Sequence, residues 1–210
     1  MKRKWSTIFL FLSTLFVLTS CGMTQELDES LDLSKELSSV IGQQEALMKD
    51  LLKTVEKIQP SFEKDMDVKP DTGLFQDEEG DLYKNFTKRK ELLDELTAGQ
   101  KEVKKFQKEF KRISNKKAVD VDNDKLQLIS SSLNIVHNNY DSLILYMNTG
   151  FEQEEELYNN LPVDNLEGQG SVIYRTYGSV TMVAEESVSN MEYTASLIKQ
   201  YEKQAATTKK

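Results

Sequence analysis

The sequence predicts an all-α protein, an elongated antiparallel up-and-down bundle of four long helices behind a cleaved signal peptide. Three observations carry this. From Thr24 onward, apolar residues recur at spacings of three and four over four long stretches, the repeat of a single helix face. Strand-like alternation is nearly absent. The breaks between stretches are short and rich in proline, glycine and acidic or other polar residues. Helices of about 30 to 38 residues joined by short connectors fold as neighbours running up and down, giving a rod of roughly 45–55 Å.

The first stretch runs from about Asp28 to Phe62. Leu33, Leu37, Val40, Leu47, Leu51 and Ile58 form one stripe; Ile41, Met48, Leu52, Val55 and Phe62 form an adjoining one. Pro60 lacks a backbone N–H and marks an end or a kink. Residues 67–80, DVKPDTGLFQDEEG, read as a connector. The second stretch spans about Asp81 to Ile113, with Leu82, Phe86, Leu93, Leu96, Val103, Phe110 and Ile113 at heptad-like spacing. A polar break, SNKKAVDVDND, leads into the third, Asn123 to Leu161. Its stripe is Leu126, Ile129, Leu133, Val136, Tyr140, Leu143 and Met147, and Gly150 interrupts without ending it. PVDNLEGQG, Pro162 to Gly170, is the next connector. The fourth stretch runs from Ser171 to Lys203 along Ile173, Tyr177, Val180, Ala184, Val188, Met191, Ala195 and Ile198. Its opening SVIYRTYGSVTMV has strand-like composition, but the 3-4 spacing and the helical sequence after it favour helix. The helical domain is thus placed at residues 28–203, with residues 204–210 as a frayed tail.

The N-terminus reads as a signal peptide, residues 1–20. Lys2, Arg3 and Lys4 precede an apolar run from Ile8 to Leu18. That run covers about 16 Å as a helix, half of a hydrocarbon core of ~30 Å, so it does not span a membrane. Leu18-Thr19-Ser20-Cys21 resembles the lipobox of bacterial lipoproteins. The resemblance implies that the Cys21 thiol takes a diacylglycerol, that the chain is cut before Cys21, and that the new amino terminus is acylated. Residues 21–27 become a lipidated tether on the extracytoplasmic face of the cell membrane. Two acyl chains anchor stably where one does not.

Cleavage changes the composition. The chain carries −8, and loss of Lys2, Arg3 and Lys4 leaves −11. Cys21 is the only cysteine, so no disulfide, thiolate metal site or cysteine nucleophile remains. Asp120, Asp122 and Asp124 alternate as in a calcium loop, but Lys125 and Ser131 stand where that loop needs glycine and glutamate; they read instead as acids at a helix N-terminus. His137, the only histidine, lacks zinc or triad partners and reads as a flank position. Glu154, Glu155 and Glu156 read as a solvated face. Tyr140 and Tyr177 fall on core stripes, while Tyr158 and Tyr174 are candidates for exposure. The residues suggest no catalytic site, cofactor, metal or nucleic-acid partner, and the bundle is expected to be a monomer.

Charge is unevenly placed. Residues 101–117 carry eight basic and two acidic side chains, net +6. Residues 63–81 and 152–167 are each at −6. With a lipid at Cys21, an up-and-down bundle puts both acidic connectors at the end away from the membrane. The basic stripe Lys101, Lys104, Lys105, Lys108, Lys111 and Arg112 is a candidate face for anionic headgroups. The acidic end repels polyanions, or gathers divalent cations or a basic partner.

Beyond the lipobox, GLFQDEEGDLYKNFTKRKELL, LISSSLNIVHNNYDSLILYM and ELYNNL followed by a final helix resemble the YkyA family of cell-wall-binding lipoproteins, over most of the mature chain. The resemblance implies a wall-binding helical bundle on the outer face of a Gram-positive cytoplasmic membrane, with no enzyme activity; peptidoglycan or a surface protein is the expected partner. No residue matches a defined binding motif, so none is carried over. Two function classes follow: a wall-associated or surface interaction lipoprotein, and an accessory or spacer of a membrane transport or secretion machine.

Overall fold

Pro60 shapes the first rod. A proline ring clashes with the carbonyl four residues earlier and cannot donate to it; four residues before Pro60 is Glu56, where the helix breaks. In the computed structural model, which describes residues 25–70 and 72–208, helix α1 spans Gln25–Val55 and α2 spans Ile58–Val68. The leader and Cys21 lie outside the described residues. The break is a tight turn: Glu56 N–H donates to Leu52 O at 3.0 Å, Lys57 N–H to Thr54 O at 3.2 Å, and Ser61 N–H restarts the ladder on Lys57 O at 3.0 Å.

Helices α3 (Asp81–Asn115), α4 (Asn123–Asn159) and α5 (Leu166–Thr208) complete the bundle. The described residues hold no strand, and no helix among them is long and apolar enough to cross a membrane. Helix α1 packs on α3 and α5, α4 packs on α3 and α5, and α2 packs on α3. Every neighbouring pair is antiparallel. Between α1 and α3, Lys116 pairs with Glu26 at one end and Asn85 donates to Thr54 O at the other, both at 2.8 Å. Between α4 and α5, Ser132 meets Thr194 at 2.6 Å and Thr176 donates to Gln153 at 2.8 Å. Gln25, Asn115, Asn123 and Thr208 therefore share one end. Val68, Asp81, Asn159 and Leu166 share the other, here called the far end.

The helix starts have local causes. Asp65, on α2, accepts from Asp81 N–H at 3.1 Å and Leu82 N–H at 2.8 Å, so its carboxylate caps α3. Gly80 makes room for it, since a Cβ there would lie 2.2 Å from Asp65 Oδ2. Asp122 caps α4 by accepting from Lys125 N–H at 2.9 Å, and Asp124 follows in the first turn; both sit at a helix N-terminus, as read.

Four boundaries differ from the sequence reading. Helix α1 already runs at Gln25, and Leu27, assigned to the tether, is 1 % exposed. Helix α2 extends past Phe62 to Val68, because Pro60 sits in its first turn where a missing N–H costs nothing. Helix α5 starts at Leu166, inside the expected connector, with Asn165 Oδ1 accepting from Gly168 N–H at 3.1 Å. It runs to Thr208 rather than fraying at 204, held by buried Ala205.

The core phase of α1 also differs. Leu33, Val40 and Leu47 are only half-buried, and Ser30, Ser34 and Gln44 take inward positions beside Leu37, Ile41, Met48 and Leu51. Each inward polar group has a partner. Ser30 hydrogen-bonds the Tyr201 hydroxyl, and Ser34 donates to Ser30 O at 2.7 Å. Tyr140 donates to Gln44 Oε1 at 2.7 Å. Gln44 fits because Gly99 faces it; a Cβ on Gly99 would lie 2.0 Å from the Gln44 carboxamide.

Candidate functional site

The far end holds the most elaborate chemistry in the described chain. Arg89 on α3 and Glu154 on α4 are both fully buried, 0 % exposed. They pair bidentately, Nη1 to Oε1 at 2.8 Å and Nη2 to Oε2 at 2.7 Å. Arg89 Nε donates to Asn85 Oδ1 at 2.7 Å, and Nη1 also donates to the Tyr177 hydroxyl. The guanidinium lies 4.8 Å from the Tyr177 ring centroid, 5.6 Å from Phe151 and 5.8 Å from Phe86. Burial opposes the charge on Arg89, but the Glu154 carboxylate together with Tyr177 and Tyr158 outweighs it and holds the guanidinium pKa above its ordinary value. Burial pushes the hydroxyls of Tyr177 and Tyr158 up, with the Glu154 charge adding to it.

Glu154 is thus a correction to the sequence reading. The acidic run is not one solvated face: Glu155 and Glu156 are exposed, and Glu155 pairs with Lys90 at 2.9 Å, while Glu154 faces inward. The signal was phase. Glu154 stands seven residues after Met147 and four after Gly150, so it continues the α4 stripe. Arg89 likewise follows Leu82 by seven. Gly150 accommodates the pair's third member, since a Cβ there would lie 2.7 Å from Tyr177 Cζ.

Above this pair the bundle opens. Helix α2 leans on α3 after the break at Glu56, so it does not pack along α5. Between them lies a groove of about 760 Å³. Ile58 and Phe62 form one wall, Ile173 and Tyr174 the other, and Tyr158 and Tyr177 line its depth. Tyr177 joins the groove to the buried pair. The groove is framed by stacked rings: Phe62 on Tyr158 at 5.5 Å, and Phe75 edge-on to Tyr158 at 5.2 Å. Phe75 and Leu74 are buried, so the acidic connector is pinned by two apolar plugs inside it. Of the two tyrosines singled out for exposure, Tyr158 is buried and Tyr174 is 72 % exposed, standing free on the groove wall. Glu56, Glu167 and Arg175 provide the charges around the opening. Gly178 adds room, as a Cβ there meets nothing within 4 Å.

The groove residues share no sequence motif. They come from four helices, and the break that separates α2 from α5 is what brings them together. A volume of this size, apolar with aromatic walls and a few charges at the mouth, falls in the range of sites that bind a small molecule or an apolar segment.

The other predicted positions lie elsewhere. Lys101, Lys104, Lys105, Lys108, Lys111 and Arg112 are all exposed on the outer flank of α3, a stripe running about 16 Å along the rod. Lys104 Nζ is 3.0 Å from His137 Nε2. Arg112 is engaged by Glu109 at 2.8 Å and by Glu29 of α1. His137 sits on the α3–α4 flank, as read, with Asp141 at 3.9 Å. Among the described residues no group of three or more His, Cys, Asp or Glu side chains is placed to hold a metal ion. No protein-family model, curated protein or solved structure matches the chain.

Proposed function

We propose that this chain is a lipid-anchored, non-enzymatic interaction module on the extracytoplasmic face of the cell membrane, associated with the wall or with a surface protein. In this reading Cys21 carries the diacylglycerol. The helical rod stands between that anchor and a recognition end. The observation that carries the reading is the placement of the 760 Å³ aromatic groove at the far end, a rod's length from Gln25. Helix α4 alone has 37 residues, about 55 Å of reach. The resemblance to YkyA lipoproteins points the same way.

The groove suits an amphipathic helical segment of a partner. Its α5 wall runs from Leu166 to Thr181, about 22 Å or four helical turns, and aromatic walls take an apolar stripe. The acidic connectors beside it favour a basic partner.

Two experiments test this. Cys21→Ser should move the protein from the membrane to the soluble fraction and abolish palmitate labelling; retention in the membrane would rule out the lipid anchor. A photocrosslinking residue at Tyr174 should capture a partner in living cells, and Gly178→Trp, which fills open space, should abolish the capture. Crosslinks indifferent to Gly178→Trp would remove the groove from the proposal. Binding of the mature chain to purified sacculi separates the two classes: retention supports wall association, while a protein left in the supernatant that crosslinks to membrane proteins supports a transport or secretion accessory.

A further inference from the structure

The outer face shared by α4 and α5 is unlike the rest of the rod. Between Leu126 and Phe151, Asp141 is the only Asp, Glu, Lys or Arg on α4, and it turns toward α3, where it accepts from Gln100 at 2.6 Å. The exposed side chains on the α5 side of α4 include Leu128, Ile135 at 48 % and Tyr146 at 36 %. The adjoining stripe of α5 carries Met182 at 62 % and Tyr193 at 56 %. By contrast α3 exposes charge along its whole length. A face with exposed apolar side chains and almost no charge, on a strongly charged protein, marks an interaction surface.

Register fixes where these residues stand. Ser132 meets Thr194 and Gln153 meets Thr176. Counting along both helices from those contacts puts Ile135 within ~3 Å of the height of Tyr193, and Tyr146 within ~3 Å of Met182. The two levels are about 16 Å apart. Glu186, the one acid on this face between Met182 and Tyr193, falls midway between them, level with Ser142 of α4.

We propose that this face pairs with a second copy of the same chain about a two-fold axis parallel to the rods. A two-fold interface sets one patch against itself. The chain is at −8, so its charged faces repel their own copies, and this nearly neutral face does not. Charge also selects the direction. A parallel two-fold keeps heights and lays α4 of one copy over α5 of the other. Ile135 then meets Tyr193 at one level, Tyr146 meets Met182 at the next, and each Glu186 meets Ser142. An antiparallel pairing centred on the same patch would bring the two Glu186 carboxylates together at its midpoint. Parallel copies also have their N-termini at the same end. With two helices about 9 Å apart over ~32 Å of length, the pairing buries on the order of 1,300 Å² in total, the low end of specific interfaces, so the dimer is a reversible one.

The test uses the full chain in detergent. Sedimentation should give twice the chain mass for the wild type and the single-chain mass for Ile135→Glu/Met182→Glu, with unchanged helical circular dichroism, because both positions are exposed. Chains carrying Ile135→Cys mixed with chains carrying Tyr193→Cys should form a covalent dimer on oxidation, while neither does so alone. A wild type that sediments as a monomer at ~100 μM, well above the micromolar Kd expected of so small an interface, overturns the proposal. So does crosslinking of Ile135→Cys to Tyr146→Cys in place of Tyr193→Cys, which would make the pairing antiparallel.

Discussion

Glu154→Gln is the sharpest single perturbation of the fold. It preserves shape and one carbonyl oxygen, but it sets an NH₂ group against the Arg89 guanidinium, where a carboxylate oxygen now accepts at 2.7 Å. Arg89 is 0 % exposed, so no water can replace the lost charge. Stranding a buried charge costs about 3–5 kcal/mol, a large part of the ~5–15 kcal/mol that holds a domain of this kind together. Arg89→Met strands Glu154 and should cost a similar ~3–5 kcal/mol. The double substitution Arg89→Met/Glu154→Leu removes both charges. It leaves only the Tyr177 hydroxyl and the Asn85 carbonyl oxygen without their donor, at about 1–3 kcal/mol each, offset by the charge desolvation no longer incurred. The double variant should therefore be more stable than either single one, with a coupling of at least ~3 kcal/mol. Urea unfolding of the leaderless Cys21→Ser chain, followed by far-ultraviolet circular dichroism, measures all four corners, with Glu154→Leu as the single variant that closes the cycle and m-values as the check that unfolding stays two-state. A loss below ~1 kcal/mol for Glu154→Gln, or a double variant as unstable as the singles combined, would refute the buried-pair reading.

Three further outcomes follow from the same core. Gly150→Ala and Gly99→Ala should each destabilise by about 1–3 kcal/mol, because the new methyl meets Tyr177 Cζ at 2.7 Å or the Gln44 carboxamide at 2.0 Å; Gly42→Ala, with nothing within 4 Å, should instead stabilise by ~0.5–1 kcal/mol. Melting curves of the three variants give the signs directly. The hydroxyls of Tyr140, Tyr158, Tyr177 and Tyr201 are all pushed above their ordinary value of 10.0, burial being the first cause in each. A raised folded pKa stabilises the fold below the unfolded value and loses that contribution as pH climbs past it, so stability should fall from about pH 10 upward, with tyrosinate absorbance and loss of helix rising together. Early tyrosinate formation by all tyrosines in a still-folded chain would contradict their burial. Asp65→Ala should cost about 0.5–2 kcal/mol by uncapping α3, and hydrogen exchange at Asp81 and Leu82 should accelerate first.

Much of the bundle was legible because helix periodicity reports burial directly. The stripes of α3, α4 and α5 named from spacing are buried, apart from the half-buried Val188 and Ala195. The start SVIYRTYGSVTMV is helical despite its β-branched and aromatic content, since its apolar spacing suits a helix face and no partner strand is at hand. What periodicity of apolar residues cannot report is a polar residue in core phase. Ser30, Gln44, Arg89 and Glu154 escape it because they break the stripe chemically while continuing it geometrically. Glu154 was further concealed by Glu155 and Glu156, whose composition suggests solvent for all three. The groove was illegible for another reason. Its walls come from residues more than a hundred positions apart, and its width depends on which way α2 turns after the break at Glu56.

The inward polar residues do more than fill space. Four antiparallel helices with apolar layers every few residues have several packings that bury nearly the same area, each shifted by a heptad. The polar contacts remove that degeneracy. Ser30 with Tyr201 ties α1 to α5, Gln44 with Tyr140 ties α1 to α4 across the core, Ser132 with Thr194 ties α4 to α5, and Arg89 with Glu154 ties α3 to α4, each near a different height. A slip of α4 by one heptad would put Met147 or Leu161 where Glu154 stands and strand Arg89, at the ~3–5 kcal/mol worked out above. The charge pair is therefore best understood as a register lock rather than as a source of net stability. Its position is informative too. It lies directly beneath the groove, and Tyr177 is bonded to one and lines the other. Beside the break between α1 and α2, a four-bond guanidinium network holds Tyr177 in place, so the groove keeps its shape on a rigid floor. A loosened pair should then show itself twice, as lost stability and as lost capture at Tyr174. A variant that loses the first without the second would separate the lock from the site.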